Sequence, residues 1–212
     1  MQADILIGNS EFFKEGAIFL SNQDKDWKKL VSKVGPCVIP INQSILPFQA
    51  LIKSVIYQQL HPKAASSILK KFIDFFDGRY PSPTELIAKK QGLKECGLSK
   101  NKCVSIVDIA LHQKYILPNY TDVRNIKNED IIAKLITLKG VGRWTAEMFL
   151  IFHLGRLDIM PSTDLAIRNQ YKKLKSLKED ISPQQLTLAT KPLSPFRSIA
   201  AWYLWQSTSN AS

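Results

Sequence analysis

Residues 136–150 read Ile136-Thr-Leu-Lys139-Gly140-Val141-Gly142-Arg143-Trp144-Thr145-Ala-Glu-Met148-Phe-Leu150. Just upstream, Ile131, Ile132, Leu135 and Ile136 recur at helical spacing, and a second apolar helix begins at Arg143. Two glycines flanking one valine separate the helices. Lacking a Cβ, they permit a sharp turn and let a bulky partner approach the backbone. The N–H groups that open the second helix can then hold a phosphate, with the charges of Lys139 and Arg143 beside them. Contacts of that kind grip the nucleic-acid backbone and carry no base sequence. Taken alone, the same Gly-x-Gly reads first as an ordinary αα-turn whose glycines let two helices cross closely.

The helical pattern extends outward in both directions. Phe48, Leu51, Ile52, Val55 and Ile56 form one apolar stripe, and Ile68, Leu69, Phe72, Ile73 and Phe76 form the next. Val104, Val107, Ile109 and Leu111 predict a further buried face. Ser82-Pro83-Thr84-Glu85 and Ser182-Pro183-Gln184-Gln185 each place a capping serine, a proline at the first helical position and Glu or Gln at the third. Ser194-Pro195 predicts the start of the last helix, His61-Pro62 separates the first two long ones, and Gly78 closes the second. Cys37-Val-Ile-Pro-Ile41 is the best strand candidate, and its proline makes it an edge or an extended connector. The expected fold class is all-α: a compact bundle of many short helices in two lobes around a cleft. Residues 1–45 are expected to form a helical and extended N-terminal segment packing with the C-terminal lobe, and residues 46–212 the main domain.

The chain has 212 residues, 45% hydrophobic and 22% charged, which is globular composition and excludes general disorder. No run approaches the ~18 consecutive apolar residues of a membrane span, and the N-terminus lacks the basic and apolar blocks of a secretory leader. Cys37, Cys96 and Cys103 are too few and too scattered for a disulfide framework, a zinc site or an iron–sulfur cluster, so a reducing compartment is expected. Lys and Arg number 29 against 18 Asp and Glu, a net charge of +11. That excess suits a polyanionic partner, with nucleic acid ahead of a membrane surface.

The full Leu138-x-Gly-Val-Gly-Arg-Trp-Thr-Ala string in a basic helical chain resembles the helix-hairpin-helix of the DNA glycosylase superfamily, most closely its 3-methyladenine DNA glycosylase II (AlkA-like) branch. Val55-Ile-Tyr57-Gln58-Gln59-Leu60-His61-Pro-Lys-Ala-Ala65 is similar to the family's "QQL…KAA" segment, Gly97-Leu-Ser-x-x-Lys102 resembles a second small turn, and Pro195-Phe-Arg-Ser-Ile-Ala-Ala-Trp-Tyr-Leu-Trp205 its closing helix. The likeness runs from about residue 45 to 207, without the β-rich domain of larger members, and so looks like the minimal helical form.

The resemblance carries roles with it. In Pro161-Ser162-Thr163-Asp164, it makes Asp164 the catalytic carboxylate, with Thr163 where the family often has a second acid. Read locally, Ser162, Thr163 and Asp164 are all good caps for the helix that follows. Trp144 and Trp205 would line the base pocket with Tyr57, and Met148 stands where the family has another aromatic. Gln58, Gln59, Leu60 and His61 would fill the gap left by a flipped base. Gly140, Gly142, Lys139, Arg143, Thr145, Lys102 and Arg168 would contact DNA. The carbonyls of Ile136, Leu138 and Val141 would hold a monovalent cation, and no other cofactor is implied. His112 and His153 read as structural or surface residues, and Lys172, Lys173, Lys175 and Lys178 as a solvated face.

Cutting an N-glycosidic bond develops positive charge on the sugar, which a fixed carboxylate stabilises while orienting water. An alkylated purine already carries positive charge, leaves readily and suits electron-rich aromatic faces. Lyase members carry a hairpin lysine that forms a Schiff base; Trp144 has no amine. The expected activity is therefore monofunctional excision of alkylated purines (3-methyladenine and 7-methylguanine) from double-stranded DNA by a monomer, in the nucleoid or nucleus. The competing readings are a non-catalytic DNA-binding module and a glycosylase for oxidised bases.

Overall fold

Serine and proline start many of the helices in the computed structural model, which describes residues 10–42, 44–116 and 126–209. The first nine residues of the stretch that bears on a secretory leader lie outside them. In chain order the helices are α1 (Ser10–Ser21), α2 (Lys25–Val34), α3 (Pro47–Tyr57), α4 (Pro62–Phe75), α5 (Pro83–Ala88), α6 (Lys100–Ile116), α7 (Asn128–Leu135), α8 (Arg143–Phe152), α9 (Leu165–Leu174), α10 (Pro183–Ala189) and α11 (Arg197–Ser209). Two 3-10 turns, Lys90–Cys96 and Lys191–Leu193, complete the set, and no strand occurs among the described residues. Both predicted capping boxes form: Ser82 and Ser182 accept the N–H groups of Glu85 and Gln185, whose side chains return the bond. The chain divides into two compact units, residues 43–149 and residues 1–42 with 150–212, and the division falls within α8.

In the 43–149 unit, α3 buries its whole predicted stripe of Phe48, Leu51, Ile52, Val55 and Ile56 and packs against α4 and α6. Each such burial contributes about 1.5–3 kcal/mol. Phe76 packs against Phe72 and Phe75, with ring centroids 5.1 and 5.0 Å away. The face predicted for α6 is right at Ile109, which is buried, and at the half-buried Val107, but not at its other two positions. Val104 and Leu111 are exposed, and the buried side is Ser105, Ile106, Asp108, Ile109 and Ala110. Two polar residues lie inward there because they meet the hairpin.

In the other unit, α11 packs on α1, α2 and α9. A Cβ on Gly16 would lie 2.2 Å from Ile199 Cδ1, so glycine lets α1 cross α11 closely. Tyr203 is fully buried and donates to the Gly35 carbonyl at 2.9 Å. The strand candidate at 37–41 is irregular coil instead, with a tight turn in which Ile41 N–H donates to the Ile39 carbonyl at 2.9 Å. Pro40 has no N–H to offer a ladder, and the segment is held by Asn42 N–H donating to the Phe152 carbonyl at 2.9 Å. Ser194-Pro195 does not open α11. It forms a cis peptide in a turn closed by Phe196 N–H on Leu193 O at 2.8 Å, and the helix begins at Arg197.

Candidate active site

The turn between α7 and α8 is built on α6. Gly140 takes φ +72°, and a Cβ there would stand 2.0 Å from Ser105 Oγ, so only glycine satisfies both backbone and neighbour. The buried Asp108 carboxylate accepts the Lys139 N–H at 2.9 Å, and the Leu138 carbonyl accepts Val141 N–H at 3.1 Å. Gly140 and Gly142 are exposed, and neither N–H has a partner among the described residues. A Cβ on Gly142 would meet nothing within 4 Å. Open N–H groups at the N-terminus of α8 make an anion site in which backbone and helix dipole act together. Among the cation-site candidates, Leu138 and Val141 are buried and Ile136 is exposed. No group of three or more His, Cys, Asp or Glu able to hold a metal occurs among the described residues.

Several residues expected at the DNA surface have partners within the protein. Arg143 forks onto Glu129 (Nη2 to Oε1 2.7 Å, Nη1 to Oε2 3.0 Å) and reaches Glu147 at 3.0 Å. Its charge is already matched. Thr145 is buried, and its hydroxyl accepts from Gln58 Nε2 at 2.8 Å; the same amide donates to the Gly140 carbonyl at 3.0 Å. Gln58 thus ties the end of α3 to the hairpin. Lys102 donates to the carbonyls of Ile56 and Gln58 at 2.8 and 2.9 Å, capping α3, and its burial lowers its pKa. Beyond Gln58 the loop is exposed at Gln59 (φ +54°), Leu60 and His61, and the His61 ring accepts the Lys63 N–H that starts α4. Tyr57, half-buried, hydrogen-bonds Ser66 at 2.9 Å under Lys53, whose Nζ is 5.8 Å from the ring. Trp144, 36% exposed, and Met148, half-buried, stand one turn apart on α8.

Asp164, Arg168 and Trp205 belong to the other unit. Asp164 is the N-cap of α9, half-buried, with Oδ1 accepting Ile167 N–H at 3.0 Å. The local capping reading holds, and it sets the carboxylate at the positive end of a helix. Arg168 Nη1 donates to the Ile181 carbonyl at 3.3 Å. The Trp205 ring lies 5.7 Å from that of Phe152.

The sequence matches the model of the HhH-GPD superfamily of base excision DNA repair proteins over residues 52–195. The chain belongs to this superfamily. It is 36% identical over 200 residues to the alkylbase DNA glycosidase-like protein mag2 of Schizosaccharomyces pombe, covering 92% of this chain and 93% of that protein. To DNA-3-methyladenine glycosylase 1 of the same organism it is 38% identical over 197 residues, covering 90% and 86%. A solved structure of the S. pombe 3-methyladenine DNA glycosylase Mag1 in complex with abasic DNA matches with a TM-score of 0.82 at 37% identity, covering 93% of this chain and 98% of that one.

The HhH-GPD hairpin of this chain is α7, the 136–142 turn and α8. Its supports, Ser105 and Asp108, escape sequence reading because a polar pair on a helix resembles a solvated face. A second HhH-GPD segment, the one leading to Asp164, is clamped to α11. Asp158 accepts from Arg197 Nε and Nη2 at 2.6 and 2.9 Å and from Ser194 Oγ at 2.8 Å. Ser198 donates its N–H to Leu157 O at 2.7 Å and its hydroxyl to Arg156 O at 2.7 Å, and accepts Ile159 N–H at 3.0 Å. The Arg-Ser of the closing-helix motif is the only trace of this clamp in the sequence.

Proposed function

We propose that the protein is a monofunctional DNA glycosylase that flips and hydrolytically releases cationic alkylated purines of the 3-methyladenine and 7-methylguanine class. The observation that carries the reading is Asp164, a half-buried carboxylate at the mouth of α9 in a chain of this superfamily. As the purine leaves, positive charge grows on the deoxyribose; a fixed carboxylate stabilises it and orients the attacking water, whose oxygen bonds C1′ as the C–N bond breaks. The names of the two S. pombe relatives support the substrate class. Trp144 in place of an amine supports water, and not the enzyme, as the nucleophile.

In this reading, the amides of Gly140 and Gly142 with Lys139 hold backbone phosphates of duplex DNA, and Gln59, Leu60 and His61 form the wedge. Trp144, Tyr57 and Met148 are the base-contacting residues of the 43–149 unit and Trp205 that of the other, and each aromatic face attracts a cation by ~0.5–2 kcal/mol. The hairpin carbonyls of Ile136, Leu138 and Val141 are the proposed seat of a monovalent cation.

Incubation with randomly methylated duplex DNA should release free methylated purines without strand breaks, and Asp164→Asn should abolish release while retaining DNA affinity. DNA binding with no released base would make the protein a non-catalytic binder, and nicking without alkali would make it a lyase. Full activity in Asp164→Asn would leave that residue a helix cap only.

A further inference from the structure

We infer that Asp158 and Arg197 are positioning residues for Asp164, holding the segment that carries its carboxylate against α11; the inference rests on the reading of Asp164 as the catalytic group. Transition-state stabilisation by one carboxylate depends on its placement, since a displacement of about 1 Å can cost on the order of 10²-fold in rate. Asp164 ends an irregular connection between α8 and α9, where no helical ladder supplies that precision. Downstream, its own cap bond fixes it. Upstream, the clamp takes over.

Arg197 presents a planar fork that matches the Asp158 carboxylate, while Ser194 fills a further acceptor site and Ser198 bonds the backbone on either side at Arg156, Leu157 and Ile159. From Ile159 to Asp164 little slack remains. Met160 and Pro161 are buried, Pro161 has a fixed φ, Ser162 N–H donates to Met160 O at 2.8 Å and Asp164 N–H to Pro161 O at 3.0 Å. The chain is thus bonded stepwise from the first turn of α11 to the carboxylate. The same helix carries Trp205, so the clamp sets the Asp164 segment and that ring on one support. The pair is mostly buried and spans 39 residues of sequence, unlike the exposed i,i+4 pair of Lys70 and Asp74.

The test is single-turnover release of 7-methylguanine from duplex DNA at saturating enzyme, with affinity for an abasic duplex measured in parallel. Asp158→Asn keeps the size and removes the charge; its chemical rate should fall on the order of 10–100-fold while affinity stays within about 2-fold. Arg197→Lys keeps the charge but not the fork, so its rate should lie between that variant and wild type; it also serves if Asp158→Asn does not fold. Lys175→Met removes an ion pair to Asp24 and Asp26 in the same unit and should excise at the wild-type rate. Wild-type rates in both clamp variants, a loss confined to DNA affinity, or an equal rate loss in Lys175→Met would overturn the inference. Full activity in Asp164→Asn would overturn the catalytic reading and this inference together, whereas an inactive Asp164→Asn beside fully active clamp variants would overturn this inference alone.

Discussion

Burial of the Asp158 carboxyl works to raise its pKa, but the Arg197 and Ser194 hydrogen bonds and the Arg197 charge outweigh it and hold the group below the ordinary carboxylate value. The unfolded chain therefore binds this proton more readily than the folded one. The stabilisation is complete above about pH 4 and is lost as pH falls through the folded value. Unfolding free energies of wild type and Asp158→Asn from urea titration should differ by ~1.5–3 kcal/mol at pH 7 and draw together below pH 4. A gap that stays constant into acid would mean that the ion pair is not its source. Gln58 invites a second comparison at this scale. Gln58→Leu strands the Thr145 hydroxyl and the Gly140 carbonyl and should cost ~1–2 kcal/mol of stability. Alanine at the exposed Gln59 or Leu60 should stay within about 0.5 kcal/mol by thermal melting yet slow excision from duplex DNA. Slower melting-independent excision in neither variant would remove the loop from the flipping step.

The hairpin is one element made of three helices, because α6 supplies the floor for the turn that joins α7 and α8. Its two glycines should consequently respond differently to alanine. Gly140→Ala meets both a positive φ and Ser105 Oγ at 2.0 Å, and should lose ~1–3 kcal/mol of stability along with DNA affinity. Gly142→Ala meets open space and should melt like wild type, so any affinity it loses reports close approach of a phosphate to the backbone. Equal melting of the two proteins would contradict the floor that α6 provides.

At the scale of the whole molecule, the net charge of +11 should make DNA affinity fall steeply with salt and depend little on sequence. Lys139→Ala should lower the slope of log K against log salt by about one. Arg143→Ala should lower it less, because Glu129 and Glu147 already match that guanidinium. Equal slope changes, measured by fluorescence anisotropy across salt, would mean that Arg143 leaves its carboxylates for a phosphate on binding.

What could be read from the sequence is what short-range chemistry decides. The capping boxes at Ser82 and Ser182, the α3 stripe and the glycine turn all depend on residues within about one or two helical turns of each other, so local spacing reports them. The all-α class, the family and Asp164 as the candidate carboxylate followed from those strings in order along the chain. Side-chain direction was not legible. Gln58 reaches Gly140 across 82 positions, Asp108 reaches Lys139 across 31, and Arg197 reaches Asp158 across 39. Nothing near any of these residues marks the partner. Val104 and Leu111 read as core but are exposed, because α6 turns Ser105 and Asp108 inward to meet the hairpin. Likewise the partners of Arg143, Lys102 and Arg168 within the protein could not be read, because a charge on a string of letters has no direction. Only the tertiary fold brings them to Glu129, the end of α3 and Ile181; for Lys102, which folding partly covers, the reason is that a covered charge must find its hydrogen-bond partners inside the protein.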